Sequence, residues 1–146
     1  MNVLVVDDEI PIREKLKAFP WHEYEFKLVG EAKNGKEAYE KCQAGMVDIV
    51  ITDIGMPIMD GLELIRLLKE SKPHIQCVLL TCHSDFEYAR QAISLGACDY
   101  LVKGMYRDKE MLNALEKART MVDKERKINQ TAQDQTNANF AFRYEI

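Results

Sequence analysis

The chain has few of the residues that make a site on their own. Its four cysteines, Cys42, Cys77, Cys82 and Cys98, form no C-x-x-C pair, so neither a zinc nor a redox motif is signalled. Cys77 and Cys98 flank apolar runs and read as small core residues. There is no G-x-G-x-x-G and no Walker A loop, which removes the sequence case for a nucleotide-binding α/β domain. No apolar stretch nears the ~20 residues of a membrane span. Met1 leads straight into an apolar run rather than a signal peptide, so the expected location is a reducing cytoplasm. Positive charge is not in excess: the net charge is −4, and nothing argues for nucleic-acid contact by this segment. No internal repeat and no helix-turn-helix pattern is visible, and His22 and His74 carry no signal.

What is present fits one domain. The chain has 146 residues, 47% hydrophobic and 30% charged, a length at which a single core is usual. Residues 1–103 hold 12 basic and 17 acidic side chains, and residues 104–146 hold 8 and 7, so the acidity lies in the first part. Strand-like and helix-like segments alternate. The strand-like runs are Val3 to Asp8, Phe26 to Glu31, Asp48 to Asp53, Gln76 to Thr81 and Asp99 to Lys103. Helical periodicity covers Ile10 to Phe19 with Pro11 in its first turn, the segment after Asn34–Gly35, Leu62 to the stop before Pro73, Phe86 to Leu95 with Gly96 in the C-cap position, and Met111 to Val122. Five such units predict an α/β fold: a doubly wound parallel sheet with helices on both faces. Beyond Val122 the pattern fades. Lys124 to Lys127 is charged and Gln130 to Asn139 is polar, which reads as a helix extension followed by flexible linker. Phe140 to Ile146 is apolar and unexplained.

The strand ends carry the chemistry. Asp8, Asp53, Thr81 and Lys103 each close an apolar run. Strand C-termini of a parallel sheet share one edge, where open α/β folds bind ligands. Asp7, Asp8 and Asp53 repel one another unless a cation joins them, and an oxygen-rich acidic site favours a hard divalent ion such as Mg2+ or Mn2+. A threonine hydroxyl and a lysine ammonium suit phosphoryl oxygens. The set therefore points to a metal-assisted phosphoryl acceptor. Taken singly, each residue has an ordinary reading: adjacent aspartates as a solvated turn or helix cap, Lys103 as a surface lysine, Tyr100 as half-buried packing.

Taken in order, these motifs resemble the response-regulator receiver domain of two-component signalling. The resemblance is carried by Asp7–Asp8–Glu9, the D-x-x-M-P run from Asp53 to Pro57, Met59–Asp60–Gly61, Thr81, and the run from Gly96 to Lys103. Phe19–Pro20–Trp21 and the stretch from Ser84 to Ala89 are similar to the YesN-like regulators, which join a receiver to an AraC-type helix-turn-helix domain. The resemblance implies a CheY-like sheet of order 2-1-3-4-5 with five helices, a receiver over 1–122, and a segment 123–146 leading to an output domain. It implies that Asp53 accepts a phosphoryl group from the phosphohistidine of a sensor histidine kinase. Asp7, Asp8, Asp53 and the backbone carbonyl of Gly55 would hold the metal, and Thr81 and Lys103 would bind phosphoryl oxygens. Tyr100 would turn inward on activation. Helix four, strand five and helix five would form the partner surface, suited to a homodimer. Such a protein is a phosphoacceptor rather than an enzyme.

Two positions depart from or vary within the family pattern. Strand five ends in Lys103–Gly104 rather than Lys-Pro, so the usual cis peptide is not expected and Lys103 is less tightly aimed. Gly55, with His83, flanks the attack path on an acyl phosphate, so phosphate lifetime is expected to depend on positions 55 and 83; an unchanged hydrolysis rate in Gly55→Asn and His83→Ala would reject that. Other readings remain beside the main one: a stand-alone receiver acting by protein contacts, a pseudo-receiver that takes no phosphate, and an aspartate-dependent phosphatase, against which stands the absence of D-x-D-x-T.

Overall fold

Val3, Leu4, Val5 and Val6 are each at most 1% exposed, and a strand covered on both faces is apolar at every position rather than at alternate ones. The computed structural model describes residues 1–82 and 86–144, with side chains placed through Ile128. Five strands alternate with helices: β1 (Asn2–Val6), α1 (Ile10–Lys17), β2 (Lys27–Ala32), α2 (Gly35–Ala44), β3 (Ile49–Asp53), α3 (Gly61–Ser71), β4 (Gln76–Thr81), α4 (Phe86–Ser94), β5 (Asp99–Val102) and α5 (Asp108–Tyr144). The strands are all parallel, in the order β2-β1-β3-β4-β5, as the resemblance implies.

Period-two alternation divides the strand residues between two cores. Leu4, Val6, Val50, Cys77 and Leu79 pack on one side with Ala38, Cys42, Leu64, Leu68 and Ala92 of α2, α3 and α4. Val3, Val5, Ile49, Ile51, Val78 and Leu80 pack on the other with Leu16 of α1 and Met111, Leu115, Ala118 and Val122 of α5. Each fully buried Leu or Ile contributes about 1.5–3 kcal/mol by removal from water. Asn34 and Asp60 cap α2 and α3, accepting from the Glu37 and Glu63 amides at 2.8 Å. Gly96 closes α4: its amide donates to Ile93 O at 3.0 Å and that of Ala97 to Ala92 O at 2.9 Å, the paired bonds of a Schellman stop.

Two local expectations change. The first helix ends at Lys17, not Phe19, because Pro20 disfavours helical backbone in the residue before it; a 3-10 turn, His22–Tyr24, follows. The flexible linker expected at Gln130 to Asn139 is instead part of α5, which is continuous to Tyr144. Polarity argued for a linker, but from Met105 onward the chain contains no proline and no glycine, so nothing breaks the hydrogen-bond ladder once α5 starts. At 1.5 Å per residue the helix is about 55 Å long.

Candidate functional site

The sheet register aligns the polar strand ends. Val6 is level with Thr52, so the next residues, Asp7 and Asp53, are neighbours across the edge. Asp53 is level with Leu80, which places Thr81 one step beyond; Thr81 is level with Val102, which places Lys103 one step further.

Asp7, Asp8 and Asp53 each bring a carboxylate oxygen within 4.8 Å of the others. Asp7 and Asp53 are buried and Asp8 is exposed. Lys103 reaches between them: its Nζ is 2.9 Å from Asp7 Oδ2 and 3.1 Å from Asp53 Oδ2. The Ile54 amide donates to Asp53 Oδ1 at 2.8 Å and the Glu9 amide to Asp7 Oδ1 at 2.9 Å. Asp7 Oδ2 is fully buried with no hydrogen bond of good geometry, only its ion pair with Lys103.

One ammonium faces three carboxylates, and the electrostatics follow. Burial pushes the Asp53 carboxyl up to about 6 and the neighbouring Asp7 charge adds to this; Lys103 and the Ile54 amide pull the other way without cancelling it. Burial lowers Lys103, but its close pairing with the Asp7 and Asp53 carboxylates outweighs that and holds it above its ordinary value. Three convergent carboxylate oxygens, from Asp7, Asp8 and Asp53, fit a hard divalent cation.

The remaining predicted residues are placed differently. Thr81 is buried at the end of β4, its hydroxyl donating to Cys82 O at 2.7 Å. Tyr100 is not brought to the carboxylates: it is 40% exposed on β5 and lines a surface groove with Phe86, Ala89 and Ile93 of α4. Gly55 is exposed, and a Cβ there meets nothing within 4 Å, so the space beside Asp53 is open. His83 lies outside the described residues. No described peptide is cis, and Gly104 turns the chain with φ +74°, so Lys103 reaches the pocket without the Lys-Pro feature. Its own amide donates to Thr81 O at 2.8 Å, tying β5's end to β4.

Sequence reasoning missed the residues that hold the loop after β3. Gly61 read only as a turn marker, yet a Cβ there would stand 2.2 Å from the Asp53 carbonyl oxygen; no other residue type fits against the backbone of Asp53 without moving it. The Gly61 amide donates to Ile54 O at 2.7 Å, and that of Gly35 to Met59 O at 2.9 Å, pinning the loop at both ends. Between them Ile58 has φ +71° and the Met59 amide donates back to Pro57 O at 2.8 Å: a γ-turn with a β-branched residue at its left-handed centre, a strained arrangement that clusters at functional sites. Arg13 braces the pocket from α1, its Nη1 donating to Asp7 O at 2.8 Å and its Nε to Glu31 at 3.1 Å. The positive φ at Ile58 lacked any sequence signal, since isoleucine is a poor choice for it.

The family model of the response regulator receiver domain matches residues 3–116. The uncharacterised transcriptional regulatory protein YesN of Bacillus subtilis is 38% identical over 116 residues, 79% of this chain and 31% of the relative. Among solved structures, the REC domain of AraT, a response regulator from Geobacillus stearothermophilus, is 33% identical, with a TM-score of 0.73 over 88% of this chain and 97% of that one. A chain of the CheX–CheY–BeF3–Mg2+ complex from Borrelia burgdorferi is 25% identical, with a TM-score of 0.71 over 79% and 86%. The chain spans between 31% and 49% of the length of these first curated relatives.

Proposed function

The chain belongs to the response regulator receiver domain family, and on that footing we propose that Asp53 accepts a phosphoryl group from the phosphohistidine of a sensor histidine kinase. The observation that carries this reading is the convergence of Asp7, Asp8 and Asp53 within 4.8 Å, with Lys103 between two of them. An Asp53 oxygen attacks phosphorus, the N–P bond of the donor breaks, and the imidazole leaves. Asp7, Asp8, Asp53 and the Gly55 carbonyl are the ligands for Mg2+ or Mn2+, an ion that offsets the repulsion between the acid cluster and an incoming dianion. Lys103 and the Thr81 hydroxyl bind phosphoryl oxygens, and position and charge supply most of the rate. Gly55 and His83 modulate the lifetime of the acyl phosphate.

Phosphorylation draws the Thr81 hydroxyl away from Cys82 O, and Tyr100 follows inward, which biases a two-state surface of α4, β5 and α5. The exposed Phe86, Ile93 and Tyr100 give that face apolar area suited to a second copy of the chain. Residues 1–122 act as the receiver and 123–146 lead to an output domain, an AraC-type DNA-binding module by the resemblance, so this segment itself touches no nucleic acid. Among the described residues no helix is long and apolar enough to cross a membrane, and the reading is of a cytoplasmic phosphoacceptor rather than a turnover enzyme.

The test is intact mass after incubation with acetyl phosphate, with and without Mg2+, on wild type and Asp53→Asn. One Mg2+-dependent phosphoryl adduct on wild type, lost in the variant, is the expected result. A folded wild type that takes up nothing overturns the phosphoacceptor reading in favour of a phosphate-independent pseudo-receiver.

A further inference from the structure

α5 passes the end of the family match at residue 116 without leaving the body of the domain. Arg119, Val122 and Arg126 share one face of the helix, as spacings of three, four and seven require, and each finds a partner. The Arg119 guanidinium stands 4.1 Å from the Phe26 ring centroid and its Nη2 donates to Tyr24 O at 2.8 Å. Val122 is fully buried. Arg126 Nη2 pairs with Asp48 Oδ1.

The two seats are built for this. Phe19, Trp21 and Tyr24 stack around the corner that presents Phe26, with centroids 4.8 Å and 5.8 Å apart, which gives the Phe19–Pro20–Trp21 run a structural purpose. Asp48 is 6% exposed, and its other oxygen accepts the Asn2 amide at 2.7 Å. Its backbone joins three strands: its amide donates to Asn2 O at 2.9 Å and its carbonyl accepts from Gln76 N at 3.0 Å. A buried carboxylate at such a junction needs a counter-charge, and among the described residues its ion pair comes from α5.

We propose that Arg119 and Arg126 latch the continuation of α5 onto the receiver, with Asp48 as the pivot, so that the helix acts as a strut reporting the state of the phosphoacceptor pocket to the chain that follows. α5 begins at the edge that carries Lys103 and reaches the opposite edge at Arg126, about 27 Å along its axis. Between these ends Met111, Ala114, Leu115 and Ala118 pack with Val78, Leu80 and Leu101 of β4 and β5, the strands that lead to Thr81 and Lys103. With its far end pinned, a shift of β4 and β5 at the pocket tilts α5 rather than sliding it. The latch stands by itself; its relay role rests on the phosphoacceptor reading.

Hydrogen exchange on the full 146-residue chain tests both parts, using wild type, Arg126→Ala and Arg126→Lys, each with and without BeF3− and Mg2+. Without ligand, Arg126→Ala is expected to speed exchange across 123–128 roughly tenfold while 108–118 is unchanged, as for local opening of a helix end, and Arg126→Lys restores part of the protection because it keeps the charge without the fork. Equal exchange at 123–128 in wild type and Arg126→Ala overturns the latch. With ligand, wild type changes its exchange at 119–128, and Arg126→Ala loses that change while its pocket loops are still protected. No change at 119–128 in wild type whose pocket loops are protected, or a change that persists in the variant, overturns the relay. Pocket loops unprotected in wild type would count against the phosphoacceptor reading and the relay, with the latch still decided by the ligand-free arm.

Discussion

At the carboxyl edge of the sheet, Asp7 and Asp53 are buried beside a third carboxylate with one lysine among them, and Asp7 Oδ2 has no hydrogen bond of good geometry. At the opposite edge, Asp48 is equally buried but satisfied, one oxygen on the Asn2 amide and the other on Arg126. The residue type, burial and position next to a strand are alike; the partners differ. Buried polar groups are normally paired, so an aspartate whose hydrogen bonding is complete reads as scaffold, and carboxylates crowded around one lysine are chemically suited to a cation. The comparison separates a joint in the scaffold from a binding site.

Removing an aspartate should therefore act with opposite sign at the two edges. Asp48→Ala is expected to have the largest effect, a loss of about 3 kcal/mol in urea denaturation, because it strips partners from the Asn2 amide and Arg126; a loss under about 1 kcal/mol would erase the distinction between the edges. Mg2+ at a hundredfold excess over its Kd should stabilise wild type by about 2.7 kcal/mol and leave Asp53→Asn nearly unmoved, as read by thermal melts; equal stabilisation of both would mean that the ion binds elsewhere.

Asp53→Asn without metal should stabilise the fold by on the order of 2 kcal/mol at neutral pH. The sign follows from Asp53's folded-state value, raised from 3.8 to about 6: the ionised form is penalised in the folded protein, the penalty grows as pH rises from about 4 through 6, and it is absent below. Wild type should therefore gain on the variant as pH falls from 7 to 4, and parallel pH profiles would contradict the account. The smallest effect is expected at Ile58→Gly, which relieves the left-handed γ-turn and raises stability by about 1 kcal/mol; a loss instead would show that the exposed isoleucine makes a contact that outweighs its strain.

The site was legible in the sequence to the extent that it depends on strand ends. Asp7, Asp8, Asp53, Thr81 and Lys103 could be gathered because a parallel sheet places all strand C-termini on one edge. Gly61 and Arg13 could not, since their roles are distances: a Cβ 2.2 Å from the Asp53 carbonyl oxygen, a guanidinium 2.8 Å from Asp7 O. Lys103 shows the converse. Its Gly104 neighbour suggested a loosely aimed side chain, yet two carboxylates within 3.1 Å hold the ammonium in place.

By itself the sequence determined the alternation of strands and helices, the two-faced burial of the sheet and the identity of its acidic edge, because these follow from hydrophobic period, capping residues and the order of polar strand ends. Only the tertiary structure decided which aspartate is satisfied and which is left short, that Tyr100 stands outside the pocket, that Ile58 is strained, and that α5 is pinned at Asp48. Those depend on which side chain from a distant part of the chain comes within hydrogen-bonding reach, and no local pattern encodes a pairing 78 residues apart.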